Sequence, residues 1–202
     1  MIAVIDYGAG NIFSVKNALA FLGFEGKLTG NAADIRTADH LILPGVGAFP
    51  DAMRMLAERG LIEAIRTEAA AGKPLLGICL GMQILFERGF EFGETQGLGL
   101  IDGFVDKLEP PPGENLKIPH MGWDSMEVVN PTPVSRTVTN GDMVYFVHSY
   151  KAVTPRENIS LLACYGQEVP ALVFRGNVYG AQFHPEKSGD VGLNILRSFA
   201  EL

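Results

Sequence analysis

Short apolar runs alternate with segments of helical spacing through the first half of the chain. The apolar run over residues 2–5, followed by Asp6, predicts a buried strand over 2–6. A glycine-rich turn over 7–11 follows it, and from Ile12 to Leu22 the apolar residues fall at steps of three and four. This spacing predicts an amphipathic helix, and Asn11 stands at its expected N-cap position.

The same alternation continues toward the middle of the chain. It predicts strands over 41–43 and 75–79, a helix over 51–71 that breaks near Gly60, and a helix over 80–88. Strand–helix–strand units of this length imply right-handed crossovers and a parallel sheet that is covered on both faces. The expected fold class is therefore α/β, with a doubly wound, mainly parallel central sheet.

After Gly97 the helical spacing is replaced by short apolar runs that are typical of strands. Residues 175–178 predict a hairpin turn, and 191–202 predict a final helix. The second half is therefore expected to be a mixed, β-rich region of the same fold. The candidate strands are 103–108, 126–129, 143–150, 161–165, 171–174 and 178–183.

The chain gives no sign of a second domain. Residues 110–113, Pro-Pro-Pro-Gly, predict a surface loop rather than a linker, because the β-rich half has no covering helices of its own. The sequence contains neither an internal repeat nor a low-complexity tract. A length of 202 residues, 47% of them apolar, is enough for a sizeable core, and we expect one domain over residues 1–202.

Charge and composition narrow the possible function classes. With 16 basic and 23 acidic residues, the net charge of −7 argues against binding to nucleic acid or to an anionic membrane surface. No run approaches the ~18 apolar residues that a membrane span needs. Asp6 interrupts the apolar start too early for a signal peptide. Two cysteines do not make a disulfide framework, so we expect a soluble, cytoplasmic protein with free thiols.

The most informative segment surrounds Cys79. Glycines stand two residues before it and two residues after it, where a predicted strand meets a predicted helix. This is the form of a nucleophile elbow, in which glycines relieve a sharp turn and the helix N-terminus favours a thiolate. The alternative interpretation is a small buried side chain, the common role of a free cysteine. Cys164 has no flanking glycine, and we expect it to pack in the core.

A cysteine nucleophile needs a base, and His184 is the candidate. It ends a predicted strand and precedes Pro185, which favours an extended backbone at position 184. An extended backbone lets Glu186 reach back toward the imidazole, where it would orient the ring and stabilise its charged form. With Cys79, these residues form a candidate triad of nucleophile, base and carboxylate. The alternative is a solvated strand end with an acidic residue nearby by chance.

A Pro-Gly-Val-Gly turn after the strand over 41–43 is a candidate oxyanion site. The backbone N–H groups of Gly45, Val46 and Gly47 would lie at the carboxyl edge of the sheet, where α/β proteins form their sites. The N–H of Leu80 would supply another donor to an oxyanion on a bound carbonyl. Taken alone, the segment is better explained as an ordinary glycine-rich turn.

Together, these segments resemble the class I (triad) glutamine amidotransferases. The resemblance rests on Gly77-x-Cys79-x-Gly81-x-Gln83, followed by His184-Pro-Glu186, and it covers essentially the whole chain. It implies that Cys79 attacks the side-chain amide of glutamine, that His184 protonates the departing ammonia, and that water then releases glutamate from a thioester.

The resemblance also implies which residues bind glutamine. Motif positions assign most of them directly, whereas Glu91 is placed by counting across a charged loop in which Glu87 and Glu94 are rivals. The alternatives are a solvated helix face around Gln83 and a core strand over 145–150. The implied glutamine-binding residues are Gln83, Glu91, His148, Ser149 and Tyr150.

Further stretches narrow the match to members of the family that serve histidine biosynthesis; they are 6–11, 43–49, 119–123 and 145–150. The implied partner is a phosphate-binding (β/α)8-barrel cyclase that forms a heterodimer with the chain and receives its ammonia. At position 124 the family usually has Asn, whereas this chain has Asp124. The expected interface residues are Asn11, His120 and Trp123, although a half-buried core position would also suit the tryptophan.

Other functions remain open on the sequence alone. Another triad glutaminase, serving anthranilate, aminodeoxychorismate or pyridoxal phosphate synthesis, is disfavoured by the 45–49 loop and the 119–123 segment. A non-catalytic binding module is disfavoured because the triad residues are all present. A cysteine peptidase would need an open cleft. We expect no metal or cofactor, because no ligand-spaced cluster occurs and Tyr7-Gly-Ala-Gly10 is too short for a dinucleotide fingerprint.

Overall fold

A computed structural model of the chain describes residues 1–109, 111, 113 and 115–202. Pro110, Pro112 and Glu114 lie outside the described residues, and the loop expected over 110–113 falls there. The helices are α1 (Ile12–Phe21), α2 (Ala32–Thr37), α3 (Phe49–Glu58), α4 (Ile62–Ala70), α5 (Leu80–Gln83) and α6 (Gly189–Ala200). The strands are β1 (Ile2–Ile5), β2 (Gly26–Thr29), β3 (His40–Gly45), β4 (Leu75–Cys79), β5 (Phe86–Gly89), β6 (Thr95–Gln96), β7 (Ile101–Lys107), β8 (His120–Val128), β9 (Met143–His148), β10 (Tyr150–Val153), β11 (Ile159–Cys164), β12 (Glu168–Arg175) and β13 (Val178–Ala181).

A nine-stranded sheet forms the centre of the fold, in the order β2-β1-β3-β4-β13-β12-β11-β8-β9. Its strands from β2 to β13 pair in parallel, whereas those from β12 to β9 continue the sheet in antiparallel pairs. The prediction of an α/β fold with a mixed C-terminal half is confirmed, and the central sheet as a whole is mixed, with four parallel and four antiparallel pairings. A smaller four-stranded sheet has the order β10-β7-β5-β6.

Hydrophobic cores lie on both faces of the central sheet. Ile5 of β1 faces a core shared with α2, α3, α4 and the smaller sheet. Its neighbour Val4 faces the opposite core, which includes α1 and α6. Because successive side chains of a strand point to opposite faces, the fully apolar β1 contributes to both cores. The helices therefore cover the sheet on both sides, as the doubly wound fold requires.

The carboxyl ends of the central parallel strands meet at one edge. Gly45 at the end of β3 pairs with Cys79 at the end of β4, and Ile78 pairs with Ala181 at the end of β13. The segments that leave these strands therefore begin side by side. This register brings together the chain segments that the sequence marks as a turn, an elbow and a histidine-bearing strand end.

The helix expected over 80–88 is wrong beyond its first turn. α5 has four residues, and the chain then enters β5. Ile84 and Leu85 are fully buried. Their carbonyl groups accept hydrogen bonds of 2.8 Å from the N–H groups of Leu98 and Leu100. A run that is apolar at every position and buried on all sides has no period from which helix and strand can be distinguished.

The remaining elements agree with expectation in type, and the differences are local. β8 begins at His120 rather than at 126, and the run over 143–150 divides at Ser149 into β9 and β10. β2 and α2 have no counterpart in the prediction because they are short and carry few buried residues. Asn11 occupies the N-cap position of α1, but its side chain accepts a hydrogen bond from the Ser14 hydroxyl instead of a backbone N–H.

The expectation that Cys164 packs in the core is wrong. It is the last residue of β11, where it pairs with Glu168 of β12 beside the turn that joins the two strands. Every other residue of β11 is buried, and Cys164 is exposed. The apolar run therefore continues one residue beyond the part of the strand that the core covers.

Candidate active site

Cys79 forms the turn from β4 into α5 in a strained backbone conformation. Its φ is +56°, in a region that residues with a Cβ rarely adopt. Such a turn presents the side chain at the edge of the sheet. The residue is 8% exposed, and its sulfur lies 3.8 Å from the carbonyl oxygen of Val147. The backbone thus has the geometry of a nucleophile elbow.

The glycines around the elbow are required by close approach of the backbone. A Cβ on Gly81 would lie 1.7 Å from the carbonyl oxygen of Leu43. A Cβ on Gly77 would lie 2.5 Å from the carbonyl oxygen of Gly81. Because both neighbouring atoms belong to the backbone of packed elements, they cannot move aside cheaply. The glycine spacing noted in the sequence therefore has a steric cause at both positions.

His184 follows β13 and is paired with Glu186 in a buried position. Their side chains are 2% and 1% exposed, and Nδ1 of the imidazole lies 2.9 Å from Oε1 of the carboxylate. Glu186 lies in a short 3-10 turn, Pro185–Lys187. The carboxylate therefore returns to the ring by a turn, and not through the extended chain that we expected. Among the described residues, Nε2 of His184 has no hydrogen-bond partner.

The backbone of His184 is held in place by its neighbours. Its N–H donates to the carbonyl oxygen of Tyr145 at 3.0 Å. The hydroxyl of Ser188 donates to the carbonyl oxygen of His184 at 2.6 Å and accepts from the N–H of Tyr145 at 3.0 Å. No role was predicted for Ser188, because a hydrogen bond between residues that are distant in the sequence leaves no pattern along the chain.

The surroundings of His184 favour its protonated form. Burial lowers the pKa of His184, but the Cys79 sulfur and the Glu186 carboxylate together outweigh burial and raise it to about 9. The imidazole is therefore protonated near neutral pH and places a positive charge beside the Cys79 sulfur. A thiolate is the nucleophilic form of the side chain.

Cys79 and His184 line the same cavity, which has a volume of about 340 Å³. A cavity of this size suits a small molecule with a few polar groups. Most of the predicted site residues line it, whereas Glu186 lies behind His184 and Gly45 is buried beside it. Pro119 and Val147 also line it and were not predicted. The lining residues are Val46, Gly47, Cys79, Leu80, Gln83, Glu91, Pro119, Val147, His148, Ser149, Tyr150 and His184.

Backbone N–H groups of two adjacent segments border the cavity. Leu80 begins α5, and the first N–H groups of a helix have no acceptor within the helix. Next to it, at the end of β3, Val46 is 47% exposed and Gly47 has a φ of +107°. Both segments line the cavity, and an oxyanion could receive hydrogen bonds from the two together.

The amide group of Gln83 is oriented by the protein. Its Nε2 donates to the carbonyl oxygen of Tyr150 at 3.0 Å and to Oε1 of Gln182 at 3.1 Å. These contacts use both N–H donors and leave its Oε1 as an acceptor. No role was predicted for Gln182, although the residue belongs to the predicted strand over 178–183.

His148 lines the cavity, but both of its ring nitrogens are within hydrogen-bond distance of other protein groups. Nδ1 lies 2.9 Å from the carbonyl oxygen of Tyr150, and Nε2 lies 3.0 Å from Nδ1 of His120. Neither nitrogen is available to a bound molecule. The imidazole is therefore held by the protein, and His148 remains a predicted glutamine-binding residue that lines the cavity beside Ser149 and Tyr150.

The structure distinguishes Glu91 from its rivals. Oε2 of Glu91 accepts a hydrogen bond of 2.7 Å from the N–H of Phe49, and the residue lines the cavity. Glu87 accepts from the N–H of Gly103 at 3.1 Å, and Glu94 lies 3.5 Å from the guanidinium of Arg88. Neither rival lines the cavity.

The residues expected at a partner interface differ in exposure. Trp123 is 53% exposed, and Asn11 is half-buried. His120 is 2% exposed, with its ring stacked against Phe146 and Tyr165 at centroid distances of 4.7 and 4.0 Å. His120 is thus covered by the protein, and its expected contact with a partner is corrected. Its neighbour Asp124 places Oδ2 3.5 Å from Nε2 of His120.

The arrangement is suited to nucleophilic substitution at a carbonyl carbon. It provides a sulfur nucleophile, a buried histidine with an orienting carboxylate, and backbone donors from two adjacent segments that line the cavity. In the part of the chain that the structure describes, no group of three or more histidine, cysteine or acidic side chains is placed to hold a metal ion. No helix there is long and apolar enough to cross a membrane.

Comparison with known proteins gives matches over almost the whole chain. A profile of the family described as "Glutamine amidotransferase class-I" matches residues 3–201. The "Imidazole glycerol phosphate synthase subunit HisH" of Listeria innocua is 50% identical over 100% of this chain and 96% of its own length. The proteins of the same name from Caldanaerobacter subterraneus and Bacillus cereus are 49% and 50% identical, over 100% and 98% of this chain and 98% and 93% of their own.

Solved structures show a similar fold. A crystal structure of a glutamine amidotransferase has a TM-score of 0.76 at 23% identity and covers 100% of both chains. The structure of PurLQS from Thermotoga maritima has a TM-score of 0.75 at 25% identity and covers 99% of this chain and 97% of that one. The structural likeness supports the fold, and the profile and the relatives establish the family: this chain belongs to the class I glutamine amidotransferases.

Proposed function

We propose that the chain is the glutaminase subunit of imidazole glycerol phosphate synthase and acts in histidine biosynthesis. It hydrolyses glutamine to glutamate and ammonia through a thioester on Cys79. The observation that carries the proposal is the cavity in which Cys79 and the buried His184–Glu186 pair meet. The full-length relatives at about half identity are named as subunits of that synthase. The whole chain, residues 1–202, would act as a single glutaminase domain in the cytoplasm.

The first step forms the thioester. The thiolate of Cys79 attacks the side-chain amide carbon of glutamine, and the carbonyl oxygen becomes an oxyanion. Backbone N–H groups of Leu80 and of the Gly45–Gly47 loop stabilise it. His184 gives the proton on Nε2 to the amide nitrogen, and ammonia leaves as the C–N bond breaks. Glu186 keeps the ring in the orientation that aims Nε2 at the cavity.

The second step hydrolyses the thioester. Water attacks the thioester carbon while Nε2 of His184 accepts its proton, and the C–S bond breaks to release glutamate and regenerate Cys79. The same histidine therefore acts as acid and then as base, and Glu186 stabilises its charged form at both stages.

Glutamine is recognised through its charged main-chain groups. The free Oε1 of Gln83 and the carboxylate of Glu91 suit its ammonium group, and both residues line the cavity. Ser149 and Tyr150 form the facing wall and suit its carboxylate. His148 lines the cavity beside them, with its ring held by the Tyr150 carbonyl and by His120.

The ammonia is passed to a second subunit. We propose a (β/α)8-barrel cyclase that forms a heterodimer with this chain and makes imidazole glycerol phosphate and aminoimidazole carboxamide ribotide. The exposed Trp123 and the half-buried Asn11 are the proposed contacts. The Gly45–Gly47 loop would complete the oxyanion site only when the cyclase is bound, because a glutaminase that is active alone wastes glutamine.

The experiment is glutamate release from glutamine by the purified chain, alone and with the cyclase and its nucleotide substrate. The expected result is a low basal rate that rises steeply only in the full mixture. Cys79→Ser should abolish the activity, and Cys164→Ser, at the exposed cysteine, is the matched control that should keep it.

Each other outcome has a defined meaning. No rise with this cyclase would contradict the assignment to histidine biosynthesis while leaving the thioester chemistry to another pathway. No turnover under any condition would favour a binding module without catalysis. A free chain as active as the complex would contradict gating by the partner.

A further inference from the structure

A buried histidine pair outside the triad connects an exposed strand to the glutamine cavity. His120 of β8 and His148 of β9 pair directly across the two strands. They are 2% and 6% exposed, and Nδ1 of His120 lies 3.0 Å from Nε2 of His148. Neither residue takes part in the proposed chemical steps, so their contact needs another explanation.

The protons of this pair have one consistent arrangement. The carbonyl oxygen of Tyr150 is only an acceptor, so Nδ1 of His148, 2.9 Å away, carries a proton. Burial, together with the nearby His120 and His184, lowers the pKa of His148 to about 4, although the bond to Tyr150 opposes the shift. A neutral His148 with a proton on Nδ1 has a lone pair on Nε2. Nδ1 of His120 must therefore donate to it.

The chain of hydrogen bonds ends at the wall of the cavity. The Tyr150 carbonyl that accepts from His148 also accepts from Nε2 of Gln83 at 3.0 Å. Gln83, Ser149 and Tyr150 all line the cavity. If His148 lost its donor, its Nε2 would be left buried without a partner, which is costly. Of its two hydrogen bonds, the ring would then keep only the one to the Tyr150 carbonyl.

The other end of this series of contacts lies on an exposed part of the molecule. Nε2 of His120 faces Asp124, whose side chain is 26% exposed. The neighbouring residues of β8, Met121 and Trp123, are 60% and 53% exposed. The ring of His120 is held by stacking and is in direct contact with His148. A shift of β8 would therefore also displace the ring of His148.

We propose that His120 is a positioning residue of the glutamine cavity, holding His148 in its Nδ1–H tautomer and thereby the wall formed by Ser149 and Tyr150. Through this contact, the position of β8 is coupled to the affinity for glutamine. The inference rests on the proposed function for its substrate, but its proton arrangement can be measured without any activity.

The first test is ¹⁵N nuclear magnetic resonance of the histidine side chains in the free chain at pH 7. The expected spectrum shows His148 neutral, with a proton on Nδ1 and none on Nε2, and His120 with a proton on Nδ1. A proton on Nε2 of His148, in either its neutral or its charged form, would overturn the proposal.

The second test compares His120→Asn with His120→Leu in the complex with the cyclase. The asparagine amide nitrogen replaces the Nδ1 donor, whereas leucine fills similar space without one. We expect His120→Leu to raise KM for glutamine about tenfold with a smaller effect on kcat, as fits the loss of one buried hydrogen bond. His120→Asn should restore KM to within about threefold of the wild-type value.

Equal KM values for both variants, or a change in kcat alone, would overturn the positioning role. If the wild-type complex released no glutamate, the proposed function would fail, and the tautomer of His148 would still decide this inference.

Discussion

The segments that follow β3 and β4 begin side by side, yet they are built differently. The elbow after β4 is packed so closely that a Cβ on Gly81 would lie 1.7 Å from a backbone oxygen of β3. In the loop after β3, Val46 is 47% exposed, and a Cβ on Gly47 would meet no atom within 4 Å. Both are glycine-rich in sequence, and only one is rigid by packing.

This difference in packing distinguishes the nucleophile and its base from the loop that would stabilise the oxyanion. The nucleophile and its base are fixed by the backbone of the free chain, because the elbow cannot relax and His184 is held by Tyr145 and Ser188. In the loop that supplies oxyanion donors, Gly45 is packed against the elbow, whereas the part at Val46 and Gly47 is exposed or has open space beside it. A partner can therefore control turnover by acting on the loop without rebuilding the triad.

Gly81→Ala should produce the largest effect, because it breaks the rigid side of this comparison. The added methyl group would overlap the Leu43 carbonyl oxygen, and the elbow would have to move. We expect the free energy of unfolding to fall by more than about 4 kcal/mol, with loss of glutaminase activity. Urea denaturation measures the first and glutamate release the second. A variant as stable as the wild type would show that the elbow can relax.

Glu186→Gln should reduce kcat/KM for glutamine by about 10²-fold while the fold stays intact. The amide oxygen still accepts from Nδ1 of His184, but the negative charge that raises the pKa of His184 is gone. In the wild type, the protonated imidazole that delivers ammonia is lost as pH rises through about 9. The alkaline limb of kcat/KM should therefore move to lower pH in the variant. If the alkaline limb of kcat/KM stayed at the same pH in the variant, the role assigned to the Glu186 carboxylate would be contradicted.

Gly47→Ala should have a smaller effect on stability and is the matched control for Gly81→Ala. The methyl group has space, and the cost comes from a φ of +107°, about 1–2 kcal/mol. Because the variant restricts the loop, we expect the stimulation of glutamate release by the cyclase to fall about tenfold. If urea denaturation showed that Gly47→Ala lowers the free energy of unfolding as much as Gly81→Ala does, the two segments would be equally rigid and the comparison would fail.

Tyr7→Phe should have the smallest effect on the free energy of unfolding, and it should raise this free energy rather than lower it. The Tyr7 hydroxyl is fully buried against Gly45, between the loop and the elbow, and has no hydrogen-bond partner among the described residues. Removing it should raise the free energy of unfolding by about 1 kcal/mol, because an unpaired buried hydroxyl is costly. Thermal or urea denaturation measures the change. Destabilisation of similar size would show that the hydroxyl is bonded after all.

The elbow was predictable because its requirements are local in sequence. Glycines on both sides of Cys79 are needed wherever a strand turns sharply into a helix, so the spacing alone indicates the geometry. The strand before it was equally clear from its apolar run. The pairing of His184 with Glu186 was also local, although the connecting 3-10 turn was not foreseen.

Features that depend on contacts between distant segments were not predictable. The run at 84–86 is buried on all sides and has no period, so the expected helix was wrong. His120 was expected at a partner interface, but the pairing of β8 with β9 buries it against His148. Cys164 belongs to an apolar run, but the core ends one residue before it. In each case a neighbour across the sheet determines the outcome.

The most direct test of the central claim, that the free chain already holds an activated nucleophile, compares its two cysteines. The measurement is the rate of alkylation of each thiol by iodoacetamide at pH 7, followed by mass spectrometry of the corresponding peptides. Although Cys79 is 8% exposed and Cys164 is exposed, Cys79 should react faster, because Cys79 has the protonated imidazole of His184 beside its sulfur. In His184→Asn, the order should reverse. Faster alkylation of Cys164 in the wild-type chain would contradict the account.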